Sequence, residues 1–300
     1  MSERLVITGA GGLVGRRLSA EARRRGYDVL ALTSAECDVT DPAAPERHFA
    51  SGDVVINCAA YTRVDDAEAD EGGARAVNAA GAENVAHACA RAGTELIHVS
   101  TDYVFSGDFE GGQPRPYEID DVPNPTSVYG RTKLEGEFEV LSAMPSAHIV
   151  RTAWIFSGGT PDGAGSDFVA TMRRLAAGDG FVDVVADQLG SPTYVGDLVG
   201  ALLQVAGGSI EETVLHAANQ GVTSRFEQAR AVFDLVGADP ERVRPVATDH
   251  HPRPAPRPPY SALASQRSEE AGLTPLRPWR DALAAAMFPD SSARPLPSTP

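Results

Sequence analysis

Residues 4–8 (RLVIT) form a short apolar run, and TGAGGLVG follows at once: Thr8, Gly9, Gly11, Gly12 and Gly15, with Leu13 and Val14 before the last glycine. A strand that passes into a helix through GxxGxxG spacing leaves few folds open. Glycine at the tight turn tolerates backbone angles that other residues avoid, and glycine at the close-approach point lets an anion reach the main chain. The first N–H groups of the new helix have no intrahelical partners and face that anion. The triplet stands at the start of the chain, between a predicted strand and a predicted helix, the context that a dinucleotide diphosphate needs.

The rest of the chain agrees. The pattern predicts a helix over 12–25 that stops at Gly26, strands over 27–32 and 53–57, and a long helix over 72–92 that ends at Gly93. Further strands are predicted over 94–99 and 148–155, with a loop over 107–127 and a helix over 128–142 between them. Alternating strands and helices imply right-handed crossovers and a mostly parallel sheet. After Phe156 the pattern becomes irregular, with helices near 167–177, 196–206, 225–236 and 279–287. The fold class expected is α/β: a Rossmann-type doubly wound parallel sheet with a smaller, interwoven α/β substrate lobe. Residues 1–156 plus about 186–215 are assigned to the dinucleotide-binding domain, and about 157–185 plus 216–288 to the lobe. Residues 289–300 (PDSSARPLPSTP) are expected to be a disordered tail.

Composition narrows the function. With 26 basic against 41 acidic residues the net charge is −15, which speaks against a nucleic-acid partner. The basic cluster Arg23–Arg25 ends a predicted helix, where cations suit the dipole. No run of 18 or more apolar residues is present and no signal peptide is evident, so the expectation is a cytoplasmic protein without a membrane partner. Cys37, Cys58 and Cys89 stand apart without a CxxC pair and read as reduced, buried residues.

An acid at the end of the second strand would hold the adenosine ribose and repel a 2′-phosphate. That position is Thr33, followed by Ser34, with no arginine or lysine nearby. The balance favours NADP and leaves NAD use open. Asp38 and Val39 suit an adenine edge, and Asn57, Cys58, Ala59 and Ala60 end the third strand with small side chains that leave room for a cofactor. Tyr129 and Lys133 stand four apart on a predicted helix, on one face. A phenol titrates near pH 10, and nearby positive charge favours the phenolate, which makes Tyr129 a candidate proton donor to a substrate oxygen. Thr101 lies at the end of the HVSTDYVF strand, where its hydroxyl can bind the same oxygen.

With those parts in place the chain resembles the extended short-chain dehydrogenase/reductases, and within them the dTDP-4-dehydrorhamnose reductase family. The strings that carry the resemblance are TGAGGLVG, NCAAYTRVDDAE, VSTDYVF, PTSVYGRTK, RTAWIF and DQLGSPT, with RPPYSAL at 257–263 as a weaker match. The resemblance implies a catalytic set of Thr101, Tyr129 and Lys133, and a nicotinamide side lined by Ala59, Ala60 and Tyr61. It also implies sugar contacts at Asp102 and Trp154. An indole at 154 would offer a flat apolar wall and an N–H donor. Arg257, or Arg253 before it, is the candidate for the diphosphate of a dTDP-sugar.

The implied reaction is reduction of the C4 ketone of a dTDP-4-keto-6-deoxyhexose. Another sugar-nucleotide ketoreductase or epimerase, or a non-catalytic NADP-binding regulatory subunit, are the alternatives. Tyr103 stands where related dehydratases resemble Ser-Thr-Asp-Glu, which speaks against dehydration. Where the family's magnesium-bridged dimer is similar in using glutamates, this chain has Arg17 and Gly196. The expectation is therefore no metal site, and a monomer or a homodimer without that bridged interface.

Overall fold

The computed structural model describes residues 4–159 and 167–288; the expected tail at 289–300 lies outside the described residues. Five short runs rich in Val, Ile and Leu become strands: β1 (Arg4–Thr8), β2 (Asp28–Leu32), β3 (Val54–Asn57), β4 (Glu95–Thr101) and β5 (His148–Thr152). With a sixth strand, Val214–His216, they form one sheet in the order β2-β1-β3-β4-β5 and then Val214–His216, every pair parallel. Such runs are mostly apolar because helices cover both faces. One core gathers Leu5, Ile7, Ile56 and Ile97 against the helices Leu13–Arg24 and Val195–Val205. The other gathers Val6, Val55, Leu96 and Ile149 against the helices Gly81–Ala92 and Val128–Ala143.

Strand order reverses between β1 and β3. The crevice beyond their carboxyl ends is where doubly wound sheets bind ligands. The Gly-rich turn after β1 and Cys58–Tyr61 after β3 both lie there, and Thr101 ends the neighbouring β4.

Two predicted elements are divided. The helix over 72–92 comprises Glu71–Arg75, a π-helical turn at Ala76–Ala80, and Gly81–Ala92. The strand over 148–155 ends at Thr152, because Trp154 has φ 47°, a left-handed conformation. The chain then leaves the central sheet, and Ile155–Phe156 pairs in parallel with Thr193–Tyr194. That turn begins a third core in which Phe156, Val169, Met172, Val232, Phe233, Trp279 and Leu283 pack together. The helices Phe168–Ala176, Arg225–Leu235 and Trp279–Met287 surround it, beside a two-stranded parallel sheet of Val182–Val185 and Val243–Val246. Among the described residues no helix is long and apolar enough to cross a membrane.

Candidate active site

The Gly-rich turn is built for close approach. Gly9 has φ +64°, and a Cβ there would sit 2.5 Å from the Ala59 backbone nitrogen, so the β1 and β3 turns can touch only through glycine. A Cβ at Gly15 would lie 2.4 Å from the Gly9 carbonyl oxygen. Gly11 and Gly12 are exposed, and the helix from Leu13 has no capping side chain and no acid in its first turn. An uncapped helix start behind exposed glycines fits an anionic diphosphate. Leu13 and Val14 are half-buried in that first turn.

At the adenosine end the structure adds a group that position alone does not reveal. Thr33 donates from both its backbone N–H and its hydroxyl to Glu36 Oε2, each at 2.8 Å. A carboxylate therefore does stand at the end of β2, supplied from three residues on. Thr33-x-x-Glu36 is the capping-box spacing, the signal that could have found it. Arg16 donates to the Gly11 carbonyl and brings a guanidinium to the same rim. Asp38 accepts from the backbone and hydroxyl of Thr40, while Val39 turns inward against Gly81.

Beyond β3, Tyr61 exchanges backbone hydrogen bonds with the Asn78 amide at 2.8 and 3.2 Å. The same amide donates to the Thr132 hydroxyl at 3.0 Å. Asn78 belongs to the π-helical turn, so that irregularity ties the Ala59–Tyr61 segment to the helix that bears Tyr129 and Lys133.

The structure brings Thr101, Asp102, Tyr103 and Tyr129 together. Thr101 donates to Asp102 Oδ1 at 3.1 Å, and Tyr103 and Tyr129 meet edge to face at 5.6 Å between ring centroids. Ser261 donates to Asp102 Oδ2 at 2.6 Å, which brings the RPPYSAL segment into the site. Burial pushes the Asp102 carboxyl up to about 6, against the hydrogen bonds from Ser261 and Thr101. Burial also pushes the Tyr129 phenol above its ordinary value, with the hydrogen bond to Thr101 opposing. This is the reverse of the lowering expected from a neighbouring ammonium. Lys133 instead points at β4, with Nζ 2.8 Å from the Val99 carbonyl and 3.1 Å from His98 Nε2.

Trp154 is half-buried, and the Arg225 guanidinium stacks 3.7 Å from its ring centroid. A Cβ on Gly190 would lie 2.4 Å from the indole, so the wall expected at 154 is itself held between two neighbours. Arg225 forms no ion pair among the described residues and donates only to the Gln228 amide, at 3.3 Å. Burial pulls it down to about 10, with Tyr103 and Asp102 opposing. Arg257 is not free in this way: it pairs with Asp65 at 3.0 Å, and Arg253 reaches the same carboxylate at 3.6 Å. Arg225 escaped the sequence reading because it opens an ordinary helix with no motif around it, and His98, although it begins the HVSTDYVF string, because only its tertiary partners give it a role.

A Gly-rich cradle at the switch point, with a hydroxyl, a phenol and an amine at the adjoining strand end, defines a dinucleotide-dependent α/β oxidoreductase of the short-chain type. The comparisons specify it further. The chain belongs to the family described as RmlD substrate binding domain, whose model matches residues 3–290. It is 62% identical over 302 residues to a dTDP-4-dehydrorhamnose reductase of Mycobacterium tuberculosis, covering 99% of this chain and 98% of that one. It is 61% identical over 303 residues to the reductase of the same name in Mycolicibacterium smegmatis, covering 100% and 90%. The crystal structure of the Bacillus anthracis dTDP-4-dehydrorhamnose reductase in complex with NADP superposes with a TM-score of 0.87 at 34% identity, covering 96% of this chain and all (100%) of that one.

Proposed function

We propose that this protein reduces the C4 ketone of a dTDP-4-keto-6-deoxyhexose, the step named in its relatives, in deoxysugar biosynthesis. The observation that carries the reading is the Thr101–Tyr129 pair at the carboxyl end of β4, beside the glycine cradle. We infer NADPH as the preferred cofactor, as in the Bacillus anthracis complex, with NADH possible. The Glu36 carboxylate on Thr33 suits free ribose hydroxyls, whereas Arg16 suits a 2′-phosphate, so the rim carries both kinds of group.

The diphosphate would lie on the helix start at Gly11, Gly12, Leu13 and Val14, the adenosine by Thr33, Asp38 and Val39, and the nicotinamide by Ala59, Ala60 and Tyr61. When bound, the cofactor supplies the hydride. The chain's own residues do the rest. Thr101 holds the substrate oxygen, and Tyr129 gives it a proton as negative charge develops there. Asp102 and Trp154 orient the sugar. Arg225, with no carboxylate of its own, and Arg257 grip the substrate diphosphate. The glycine-cradle segments serve the cofactor and the lobe after Phe156 serves the sugar nucleotide. The protein works in the cytoplasm as a monomer, or as a homodimer without a metal-bridged interface.

The test is oxidation of NADPH, then NADH, with enzymatically generated dTDP-4-keto-6-deoxyglucose, with and without a 3,5-epimerase. Turnover that requires the epimerase, and that falls by about 10²–10⁴ in Tyr129→Phe while cofactor binding persists, is the expected result. Turnover without the epimerase assigns another deoxysugar. No turnover under any condition sinks the reading.

A further inference from the structure

The aromatic wall at residue 154 is set by segments distant in the chain. Trp154 has φ 47°, a left-handed backbone that bulky residues rarely adopt. That turn sets the indole against Gly190, the glycine of DQLGSPT, where a Cβ would lie 2.4 Å from the ring. Leu189–Gly190 pairs antiparallel with Thr223–Ser224, and Ser224 caps the helix that Arg225 opens. The pairing brings Arg225 to the indole, with its guanidinium 3.7 Å from the ring centroid, and Phe168 lies 5.0 Å from the same group.

Apart from these stacks, the fold gives a cation little at this position. Arg225 is the first residue of its helix, and a helix start carries positive partial charge. Burial pulls the guanidinium down to about 10, and Arg257 acts in the same direction, so it stays charged at neutral pH against its surroundings. Only one of its N–H groups has an acceptor among the described residues, Gln228 Oε1 at 3.3 Å. Gln228 is 0% exposed, and its own Nε2 group has no partner among them. Buried donors seldom lack acceptors. The groups that act on Arg225 through their charge are Tyr103, Asp102 and Arg257, all at the site, so the acceptor that would complete it is a ligand there.

A guanidinium has a face and an edge, and both can be used at once. The face stacks on an aromatic ring while N–H donors in its plane grip phosphate oxygens. A lysine ammonium is a point charge and cannot do both.

We propose that Arg225 is a positioning residue that couples the two halves of the substrate: its face fixes the Trp154 indole and its edge holds the diphosphate, so that engaging the nucleotide sets the wall against which the sugar ring lies. The inference deepens the reductase reading and takes its ligand, a nucleoside diphosphate joined to a deoxysugar, from it. Binding energy from the non-reacting nucleotide thereby orients the reacting sugar. Arg257 has no such double role: it is paired with Asp65 at 3.0 Å, and the ring that it faces, Tyr103, is centred 5.8 Å away.

Trp154 and Trp279 are the only tryptophans in the chain, and Trp279 is buried in the third core. Full-length protein labelled with 5-fluorotryptophan therefore gives two 19F signals, which Trp154→Phe assigns. The titrants are dTDP, which carries the diphosphate but no sugar, and thymidine, which carries neither. The expected result is a Trp154 signal that shifts with dTDP and stays in place with thymidine. In Arg225→Lys, dTDP should bind within about tenfold of wild type, yet the Trp154 shift at saturation should vanish. In the same variant kcat with the dTDP-4-keto sugar should fall by about tenfold to a hundredfold, with KM changed less. Arg257→Gln should weaken dTDP binding by about tenfold or more and keep the full shift at saturation. dTDP that binds by calorimetry yet leaves the wild-type Trp154 signal in place, or a shift that survives in Arg225→Lys, overturns the proposal. The first of these needs no variant to fold and no turnover. dTDP that does not bind at all removes the reductase reading and the proposal with it.

Discussion

At the scale of single residues the site works by burying groups that titrate. Asp102 receives hydrogen bonds from Ser261 and Thr101, yet its burial outweighs them and its carboxyl rises to about 6. Above that pH it is a carboxylate that accepts from Ser261 and keeps the Thr101 hydroxyl placed until its hydrogen turns to the substrate oxygen. Below it the acid holds its own proton and the arrangement is lost. kcat/KM should therefore fall about tenfold per pH unit below pH ~6. Asp102→Asn should abolish that limb while lowering the plateau by about tenfold or more, as the loss of a charge-assisted hydrogen bond would. A limb unchanged in the variant would assign it to another group.

At the scale of elements, what matters is how the Val128–Ala143 helix is seated. Its glycines allow contact that a methyl would block. A Cβ at Gly130 would lie 2.2 Å from the Tyr103 carbonyl oxygen, and one at Gly136 2.0 Å from that of Asn78. Behind the helix, Glu137 and Arg151 form an ion pair at 2.7 Å, with side chains 4% and 5% exposed. Removing one partner strands a buried charge, so Arg151→Met should cost about 3–5 kcal/mol in urea unfolding. Pairing it with Glu137→Met should recover most of that loss, because the replaced pair leaves no charge behind. Equal losses in the single and double variants would show that the pair has little to do with the cost. The helix was legible in the sequence because a regular run over 128–142 follows the loop over 107–127, and the structure adds Ser127 as its cap. Its seating was not legible, because glycine at a helix interface looks the same in sequence as glycine on a helix surface.

At the scale of the whole molecule, buried imidazoles tie stability to pH. His216, on the last strand of the central sheet, is pulled down to about 3 by burial first and then by Arg151. Its unfolded counterpart binds a proton near pH 6.5, so the unfolded chain takes up protons that the folded one refuses. The stability from this group is complete above about pH 6.5 and falls as the pH drops towards 3; His98, also lowered, acts with the same sign. Asp102, whose pKa is raised, acts oppositely: its contribution is present below about pH 3.8 and is lost as the pH rises through 6. The two strongly lowered histidines outweigh Asp102 and Glu118, the latter a carboxyl also raised by burial, so the urea midpoint should fall between pH ~7 and pH ~5, and His216→Leu should flatten the slope. A slope unchanged in that variant would point to other groups.

The parallel α/β frame, the glycine cradle and the Tyr129–Lys133 spacing are written in the order of residues alone. These follow from local rules: apolar runs of strand length, glycine where the backbone must turn, and four-residue spacing on one helix face. The folded chain sets what those parts touch. It placed Glu36 on Thr33, broke the strand at Trp154 to begin the third core, and stacked Arg225 on that indole. It also aimed Lys133 at His98 rather than at Tyr129, from a residue 35 positions away in the chain. Hydrogen-bond partners and burial, which set charge and pKa, come from segments distant in sequence, and no local pattern encodes them.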